Sequence, residues 1–434
     1  MSTFPETAAT PASPPSGSPL VVRTHAIPDP GALLSLLPRA DPPDLVSWVR
    51  HREGLVGWGR AAAFEVSGPK RFEQADTWWR EVVRHAVVRD EVRQPGSGPV
   101  VFGSLPFADD SADSGVLVVP EVVVGRRGDR WWVTTIGHDA HLPPIPMLRP
   151  AEQPETPVDV RFASGALSVE EWKGAVGRAV GRINDGELDK VVLARDLQAR
   201  SAQPIDVRWL LETLADRYQR TWTFAVGGLV GATPELLVRR DQGLVLSRVL
   251  AGTIRRSGDD ARDLALAASL ARSSKDLEEH EYAVRSVAQA LAPHCSSMNV
   301  PETPFVLHLS NVMHLATDVA GVTADHATSL ALAASLHPTA AVGGTPARVA
   351  VPLIAELEAM DRGRYAGPVG WMDASGDGEW GIALRCGRFD DDDPRAVRLF
   401  AGCGIVAGSD PDAEAAEAEA KFLPMRDALS ATPR

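Results

Sequence analysis

Two clusters of acidic residues, far apart in the chain, have the spacing that places side chains on one face of a helix. Glu414 and Glu417 are three residues apart and Lys421 follows four later, while Asp276 and Glu279 repeat the three-residue spacing. Each cluster alone is typical of a solvated helix face, with Glu417 and Lys421 as an ion pair. Two such helices facing one another could instead bind a divalent cation such as Mg²⁺, which prefers oxygen ligands and keeps several waters.

Two other charged residues adjoin apolar segments. Lys190 opens the segment KVVLARDL, and Glu235 follows Thr233-Pro234. The residue types alone favour a simple interpretation, in which Lys190 is a solvent-facing strand end and Glu235 is a polar residue of a turn.

Glycines are concentrated in two stretches that a ligand could approach closely. These are Ala401-Gly402-Cys403-Gly404-Ile405, just before the second acidic cluster, and Gly343-Gly344-Thr345-Pro346. A residue without a Cβ lets the backbone come near another group. The first stretch is not a phosphate loop, because no Gly-Lys-Ser/Thr follows. Gly-rich strand ends are common, so neither stretch indicates a site by itself.

The elements that must position these residues can be predicted from local patterns. Ser168 and Glu171 form a capping box that starts a helix, and Asp185-Gly186 ends it. Residues 260–291 are expected to be helical, and Asp410-Pro411 should start a last helix that runs to about Leu429. Strands are expected at 116–119, 122–124, 131–135, 190–197, 221–226, 236–240, 244–250, 369–372, 379–385 and 398–400. Because hairpins outnumber βαβ units, the pattern predicts an α+β fold with large antiparallel sheets flanked by helices.

The chain is expected to contain three regions. Residues 1–25 should be a disordered tail, since the first twenty are rich in Pro, Ser and Thr and lack the pattern of a secretory signal. A Pro-rich stretch at 142–157 is the candidate boundary between an N-terminal half at 26–160 and a catalytic region at 161–434; the alternative is that it joins two parts of a single domain.

Composition excludes several classes of protein. The 434 residues carry a formal charge of −13 without a basic tail or stripe, which disfavours a nucleic-acid partner. No apolar run is long enough for a transmembrane helix. The three cysteines are far apart in sequence, which excludes a disulfide scaffold or zinc ribbon and fits a reducing cytoplasm.

An ordered set of motifs between about 168 and 429 resembles the chorismate-utilising enzymes. Members of this family include isochorismate synthases, salicylate synthases and the large subunits of anthranilate and aminodeoxychorismate synthases. The resemblance implies the fold of anthranilate synthase component I. The motifs are KVVLAR (190–195), ATPELLVRR (232–240), LAGTIRR (250–256), SKDLEEHEYAV (274–284), HLATDVAG (314–321), LHPTAAVGGTP (336–346), ELEAMDRGRYAGPVGW (356–371), GDGEWGIALRCG (376–387) and RLFAGCGIVAGSDPDAEAAEAEAK (398–421).

The resemblance implies a substrate and a metal. The substrate would be chorismate, a dianion, and Mg²⁺ would bridge its ring carboxylate to acidic side chains. Glu279 and Glu417 match the metal-ligand positions of the family. Asp276 and Glu414 match companion positions that act through waters, and Asp276 departs from the Glu of several relatives.

The same resemblance implies a set of substrate-binding residues. Arg385 and Tyr365 match positions that bind the enolpyruvyl carboxylate, a role that suits an Arg side chain. The rest of the pocket would be lined by Thr253, Ala251, Gly252, His314, Gly402, Gly404 and Lys421.

Two positions distinguish the branches of the family. Ammonia-using branches tend to have Gln where this chain has Lys190, and the aminodeoxychorismate branch has a nucleophilic Lys where this chain has Ala251. The resemblance therefore implies that water is the nucleophile and that isochorismate is formed reversibly. Lys190 would deprotonate the water that attacks C2, and Glu235 would protonate the hydroxyl that leaves C4. Such an acid must be protonated, so its surroundings should raise its pKa.

Three alternatives remain open beside the isochorismate synthase activity. A salicylate synthase shares Lys190 and Glu235 and also expels pyruvate, although LHPTAAVGGTP is more similar to the synthase-only branch. A non-catalytic binding homologue would have lost the acid, the base or a metal ligand, and this chain has all of them. An amidotransferase-coupled subunit would need a glutaminase, which we do not expect. We predict a cytoplasmic monomer with no membrane partner, serving menaquinone biosynthesis in preference to siderophore biosynthesis.

Overall fold

Two large, mostly antiparallel β-sheets make up most of the structure. The computed structural model describes residues 19–138, 144–308 and 312–432, without the side chains of Thr253, Lys275 and Glu279. The strands in chain order are β1 (Val21–Ile27), β2 (Leu45–Arg50), β3 (Glu53–Trp58), β4 (Ala62–Val66), β5 (Val87–Asp90), β6 (Val100–Ser104), β7 (Gly115–Val119), β8 (Val122–Arg127), β9 (Arg130–Gly137), β10 (Arg161–Ser164), β11 (Lys190–Arg200), β12 (Trp222–Val226), β13 (Leu229–Thr233), β14 (Leu236–Asp241), β15 (Leu244–Arg255), β16 (Cys295–Asn299), β17 (Phe305–His308), β18 (Val312–Thr323), β19 (Gly344–Thr345), β20 (Pro368–Asp373), β21 (Gly378–Ile382), β22 (Cys386–Phe389) and β23 (Ala396–Ile405).

Helices cover the sheets and connect their strands. In chain order they are α1 (Arg71–His85), α2 (Val169–Asn184), α3 (Val207–Arg217), α4 (Asp260–Leu270), α5 (Ser274–Leu291), α6 (Ser329–Leu336), α7 (Ala347–Glu358) and α8 (Pro411–Ser430). No helix in the described ranges is long and apolar enough to cross a membrane.

Within each sheet, strands that are distant in the chain lie next to one another. The first sheet has the order β10-β11-β23-β22-β13-β12-β2-β3-β8-β9-β1-β5, with β19 beside β11. The second has the order β16-β18-β15-β14-β21-β20-β6-β7-β4, with β17 beside β18. Except for β1 and β5, which are parallel, the paired strands of the described chain are antiparallel. The predicted α+β class with large antiparallel sheets is therefore confirmed.

Two hydrophobic clusters hold these layers together. The larger one joins the sheets, since it contains Trp48 of the first sheet and Phe102 of the second, both essentially inaccessible to solvent. A second cluster packs α3 and α8 against the first sheet, with Leu210 and Phe422 among its buried members. Burial of such large apolar side chains is the main stabilising contribution to a fold of this kind.

Two of the points at which the chain crosses from one sheet to the other are neighbours. At one, it passes from β13 of the first sheet to β14 of the second, with Pro234-Glu235 between them; at the other, it passes from β21 of the second sheet to β22 of the first through 383–385. The backbone of Glu235 accepts a hydrogen bond from Ile382 N at 3.1 Å, and the backbone of Arg385 accepts one from Ala232 N at 3.2 Å. Glu235 and Arg385 thus lie at a junction between the two sheets.

Most local predictions agree with the structure. Ser168 and Glu171 form the expected capping box of α2, which ends at Asn184 with Asp185 as its C-cap. Asp410 caps α8 with Pro411 in its first turn.

Three boundaries need correction. Strand β1 begins at Val21, so a tail over 1–25 is too long; residues 1–18 lie outside the described ranges. The helical stretch 260–291 is two helices, since α4 ends at Leu270 and Ser273 caps α5. Strand β21 ends at Ile382, before Arg385, where the chain changes sheets. Both predicted regions, 26–160 and 161–434, contribute strands to the first sheet.

Candidate active site

A cavity of about 200 Å³ lies where the two sheets meet α5 and α8. A larger hollow of about 670 Å³ adjoins it at Pro234 and Arg385 but contains neither Lys190 nor Glu235, so we regard the smaller cavity as the chemical site. Most of the predicted site residues line that smaller cavity: Lys190, Glu235, Ala251, Gly252, Asp276, His314, Tyr365, Arg385, Gly402, Gly404, Glu417 and Lys421.

Glu235 has an environment that favours its neutral form. Its side chain is 9% exposed, and burial raises its pKa to about 7 against the opposing charges of Arg385, Lys190 and Lys421. A carboxyl with that pKa is substantially protonated at neutral pH and can donate a proton.

Lys190 is the first residue of β11 and lines the same cavity. The neighbouring strand β23 carries Gly404 opposite Val192. A Cβ at Gly404 would lie 2.8 Å from Cε of Lys190, so only glycine leaves room for this side chain in its present position.

Gly402 has a different reason to be glycine. A Cβ there would lie 2.6 Å from the carbonyl oxygen of Leu193 on the paired strand. The structure therefore gives each glycine a steric role beside the predicted approach of a ligand: Gly402 permits the pairing of the two strands, and Gly404 leaves space for Lys190. Both glycines also line the cavity.

Arg385 and Tyr365 supply a cation and a phenol to the cavity. Arg385 has a φ of 49°, in the left-handed region that non-glycine residues seldom adopt. No carboxylate of the described residues lies within ion-pair distance of its guanidinium. Tyr365 is 4% exposed and stacks on Phe400 at 5.0 Å between ring centroids, which orients its ring.

The wall opposite these residues comes from β15 and β18. Ala251 and Gly252 line the cavity at a bulge in β15, where Gly252 has a φ of 73°. Burial lowers the pKa of His314 to about 3, so its imidazole is neutral and does not add to the positive charge. Thr253 pairs with His314 across the strands, but its side chain lies outside the described residues.

Glu417 and Lys421 form the ion pair that their spacing predicts. Nζ of Lys421 lies 2.7 Å from Oε1 of Glu417 and also donates a hydrogen bond to the carbonyl oxygen of Gly402 at 2.9 Å. Lys421 thereby fastens α8 to β23 beside the cavity.

The four predicted metal carboxylates have different surroundings. Asp276 and Glu417 line the cavity from α5 and α8, which are far apart in sequence. Glu414 is not among the lining residues and accepts a hydrogen bond from Ser409 Oγ at 2.7 Å. Glu279 lies in α5, and its side chain is outside the described residues.

The described carboxylates that line the cavity have the chemistry that a magnesium ion requires. Asp276 and Glu417 offer carboxylate oxygens from two helices to one polar cavity, which is the donor type that Mg²⁺ prefers. Within the described side chains, no group of three His, Cys, Asp or Glu is close enough to hold a metal by itself. Two protein carboxylates would leave coordination positions for water and substrate, as is usual for this ion.

Sequence reasoning missed a buried ion pair that borders the cavity. Arg362 lines it and donates to both carboxylate oxygens of Glu358, at 2.6 and 2.9 Å. Arg362 also donates to the carbonyl oxygens of Val192 and Val342 at 2.8 Å. The four-residue spacing of Glu358 and Arg362 was visible in the sequence, but nothing in it marked this arginine as buried.

Comparisons with known proteins agree on one family. A family model described as "Chorismate binding enzyme" matches residues 28–430. Over 388 residues the chain is 37% identical to the isochorismate synthase DhbC of Bacillus subtilis. This match covers 84% of this chain and 88% of the relative.

Two solved structures extend the comparison to the whole fold. One is a putative 2,3-dihydroxybenzoate-specific isochorismate synthase, DhbC, from Bacillus anthracis, with a TM-score of 0.75, 32% identity and 92% of this chain and 98% of that one covered. The other is the menaquinone-specific isochorismate synthase MenF from Escherichia coli, with a TM-score of 0.78, 25% identity and 96% of each chain covered.

Proposed function

The chain belongs to the chorismate-binding enzyme family, and on that premise we propose that it converts chorismate to isochorismate. The observation that carries the proposal is the joint presence of Lys190 and Glu235 in one cavity, with burial raising the pKa of Glu235 to about 7. An amine that can accept a proton and a carboxyl that can donate one are the two groups that the reaction needs.

The reaction exchanges one hydroxyl group for another. Lys190 takes a proton from a water molecule as its oxygen bonds to C2 of the ring. The ring double bonds shift, the C4–O bond breaks, and Glu235 gives its proton to the departing hydroxyl, which leaves as water. One water enters and one leaves, so the product is an isomer of chorismate. Because each step can reverse, we expect the reaction to run in both directions.

Positive side chains balance the two carboxylates of the substrate. Arg385 offers a guanidinium with no carboxylate partner in the described chain, which suits the enolpyruvyl carboxylate. Tyr365 lies beside it in the same cavity, and its burial and stacking hold the phenol in one orientation. Neutral His314 and the bulge at Gly252 complete the wall without adding charge.

Glu417 and the predicted ligand Glu279 would hold Mg²⁺, while Asp276, which lines the same cavity, and Glu414 would act through waters. When bound, the ion would supply a positive charge for the ring carboxylate of chorismate. The role of the protein in this arrangement is to present carboxylates from two helices to one point of the cavity.

The pathway and the setting are further parts of the proposal. The two solved relatives serve different pathways by their names, and we favour menaquinone biosynthesis for this chain. We also propose that it acts as a cytoplasmic monomer without a glutaminase. Its cysteines, Cys295, Cys386 and Cys403, are free, which is consistent with a reducing compartment.

A product assay tests the activity. Purified protein is incubated with chorismate and Mg²⁺, and the products are separated by chromatography. We expect a mixture of chorismate and isochorismate that reaches the same ratio from either compound. Salicylate and pyruvate would identify a salicylate synthase instead, and unchanged chorismate would identify a binding homologue.

A further inference from the structure

The carboxylate that should ligate the metal is already bonded to a cation of the chain itself. Nζ of Lys421 lies 2.7 Å from Oε1 of Glu417, and the side chain of Lys421 is only 17% exposed. The same ammonium donates to Gly402 O at 2.9 Å, so it is held between α8 and β23 and not merely attached to Glu417.

A magnesium ion on the same oxygen would conflict with this ammonium. Direct Mg–O bonds are about 2.1 Å long, so an ion on Oε1 and the Nζ atom 2.7 Å from it would be at most about 5 Å apart. Two positive charges at that distance in a half-buried cavity repel strongly. The ion must therefore compete with Lys421 for Glu417.

Resting on the proposed function, we propose that Lys421 forms an ion pair with Glu417 in the metal-free protein and that binding of Mg²⁺ breaks this pair. The ammonium of Lys421 then binds the ring carboxylate of chorismate. Lys421 is then a positioning residue that couples the two ligands. The metal frees the lysine for the substrate, and a substrate carboxylate that holds the lysine frees Glu417 for the metal.

This exchange has a thermodynamic consequence. If each ligand favours the released state of Lys421, each raises the affinity for the other by the same factor, and such factors are typically about 5 to 150. In the absence of chorismate, Mg²⁺ should bind weakly because it must break the ion pair. Removing the ammonium should strengthen binding of the metal alone and reduce the coupling.

Isothermal titration calorimetry with Mg²⁺, with and without saturating chorismate, tests this exchange. All proteins carry Lys190→Ala so that chorismate is not consumed. Lys421→Met removes the ammonium and keeps the length of the side chain. The matched control is Lys173→Met. Lys173 of α2 forms ion pairs with Asp412, in the first turn of α8, at 2.7 Å and with Glu170 at 2.8 Å.

We expect Lys421→Met to bind Mg²⁺ alone roughly tenfold more tightly and to show a smaller effect of chorismate on that affinity, within the usual range of coupling. Lys173→Met should change both quantities by less than about twofold. Unchanged or weaker binding of Mg²⁺ alone in Lys421→Met would overturn the exchange, and would indicate that the metal uses the other oxygen of Glu417. Equal effects of the two variants would mean that only the overall charge matters, and would also overturn the exchange.

The titration with Mg²⁺ alone measures metal affinity without the substrate, so its outcome is distinct from that of the product assay for the proposed function. A wild-type protein that leaves chorismate unchanged would refute the function, whatever the metal affinities are. Thermal unfolding of each variant verifies that it is folded, and Lys421→Gln replaces the Met variant if that variant is not.

Discussion

Lys190 and Glu235 reach the cavity by different structural routes. Lys190 has space because Gly404 on the paired strand has no side chain, whereas Glu235 is buried because the chain changes sheets at that residue. Burial raises the pKa of Glu235, and three cations oppose that effect without cancelling it. Local surroundings thus give the acid a protonation state that its residue type would not have in water.

Replacement of Lys190 by Ala should remove the base and leave substrate binding largely intact. Loss of a general base typically costs about 10²–10⁴-fold in rate, so we expect kcat to fall by that factor with KM within a few-fold. Steady-state kinetics provide the measurement, with Lys173→Ala as a control lysine on the surface. Wild-type turnover in Lys190→Ala would remove the base from the mechanism.

The protonation of Glu235 should appear in the pH dependence of the rate. The proton donor is present below its pKa of about 7 and is lost above it, so kcat/KM for chorismate should decline as pH rises through that region, by up to tenfold per unit. Glu235→Gln cannot ionise, and its residual rate should lack this decline. An unaltered decline in the Gln variant would assign the titration to another group.

Gly404→Ala should impair the lysine without replacing it. The added Cβ would lie 2.8 Å from Cε of Lys190, so the side chain must move from its position. We expect kcat to fall at least tenfold while the protein stays folded, because displacement of a catalytic group by about 1 Å can cost about 10²-fold. Unchanged kcat would indicate that the position of Lys190 is not critical.

At the scale of elements, hydrogen bonds from α2, α7 and the segment after α7 hold β11 in place. Trp172 of α2 donates a hydrogen bond from Nε1 to Ala194 O at 3.0 Å, and Glu358 at the end of α7 accepts one from Ala194 N at 2.7 Å. Arg362 adds a bond to Val192 O. These contacts fix the strand that begins with Lys190, so residues outside the cavity contribute to its geometry.

Removal of Glu358 should therefore destabilise the whole fold. Its carboxylate is 2% exposed, and its loss leaves the guanidinium of Arg362 buried without a counter-ion. Breaking a buried ion pair in this way typically costs about 3–5 kcal/mol in the free energy of unfolding. Urea denaturation of Glu358→Ala should show this loss.

Glu356 on the same helix provides the control. Its side chain is 59% exposed and lies 3.8 Å from Arg182, so Glu356→Ala should change stability by less than about 0.5 kcal/mol. Similar stabilities for the two variants would contradict a structural role for the buried pair.

The contrast between predicted and observed elements has a physical basis. The capping box at Ser168 and the cap at Asp410 depend on neighbours within one helical turn, so the sequence predicts them. The pairing of β11 with β23 joins residues about two hundred positions apart, and alternating hydrophobicity does not specify a partner strand. The burial of Arg362 and the steric roles of Gly402 and Gly404 follow from such pairings. The motifs indicated which residues share a site, but not why they fit together.

At the scale of the whole molecule, the proposed function requires a protein of charge −13 to bind a dianion. Lys190, Arg385 and Lys421 line one cavity at the junction of the sheets, and under the proposed function this local positive charge attracts the carboxylates of the substrate. The three residues come from β11, the loop before β22 and α8, so the site exists only when the two sheets and the last helix are assembled.

In the proposed mechanism a water molecule attacks C2 while the C4 hydroxyl departs. Reaction of chorismate in H₂¹⁸O, followed by mass spectrometry and NMR of the product, tests it directly. We predict isochorismate with one ¹⁸O, located in the C2 hydroxyl, and recovered chorismate that gains ¹⁸O only at C4 through the reverse reaction. Isochorismate without ¹⁸O would mean that the original hydroxyl migrates within the molecule, and would contradict the roles proposed for Lys190 and Glu235.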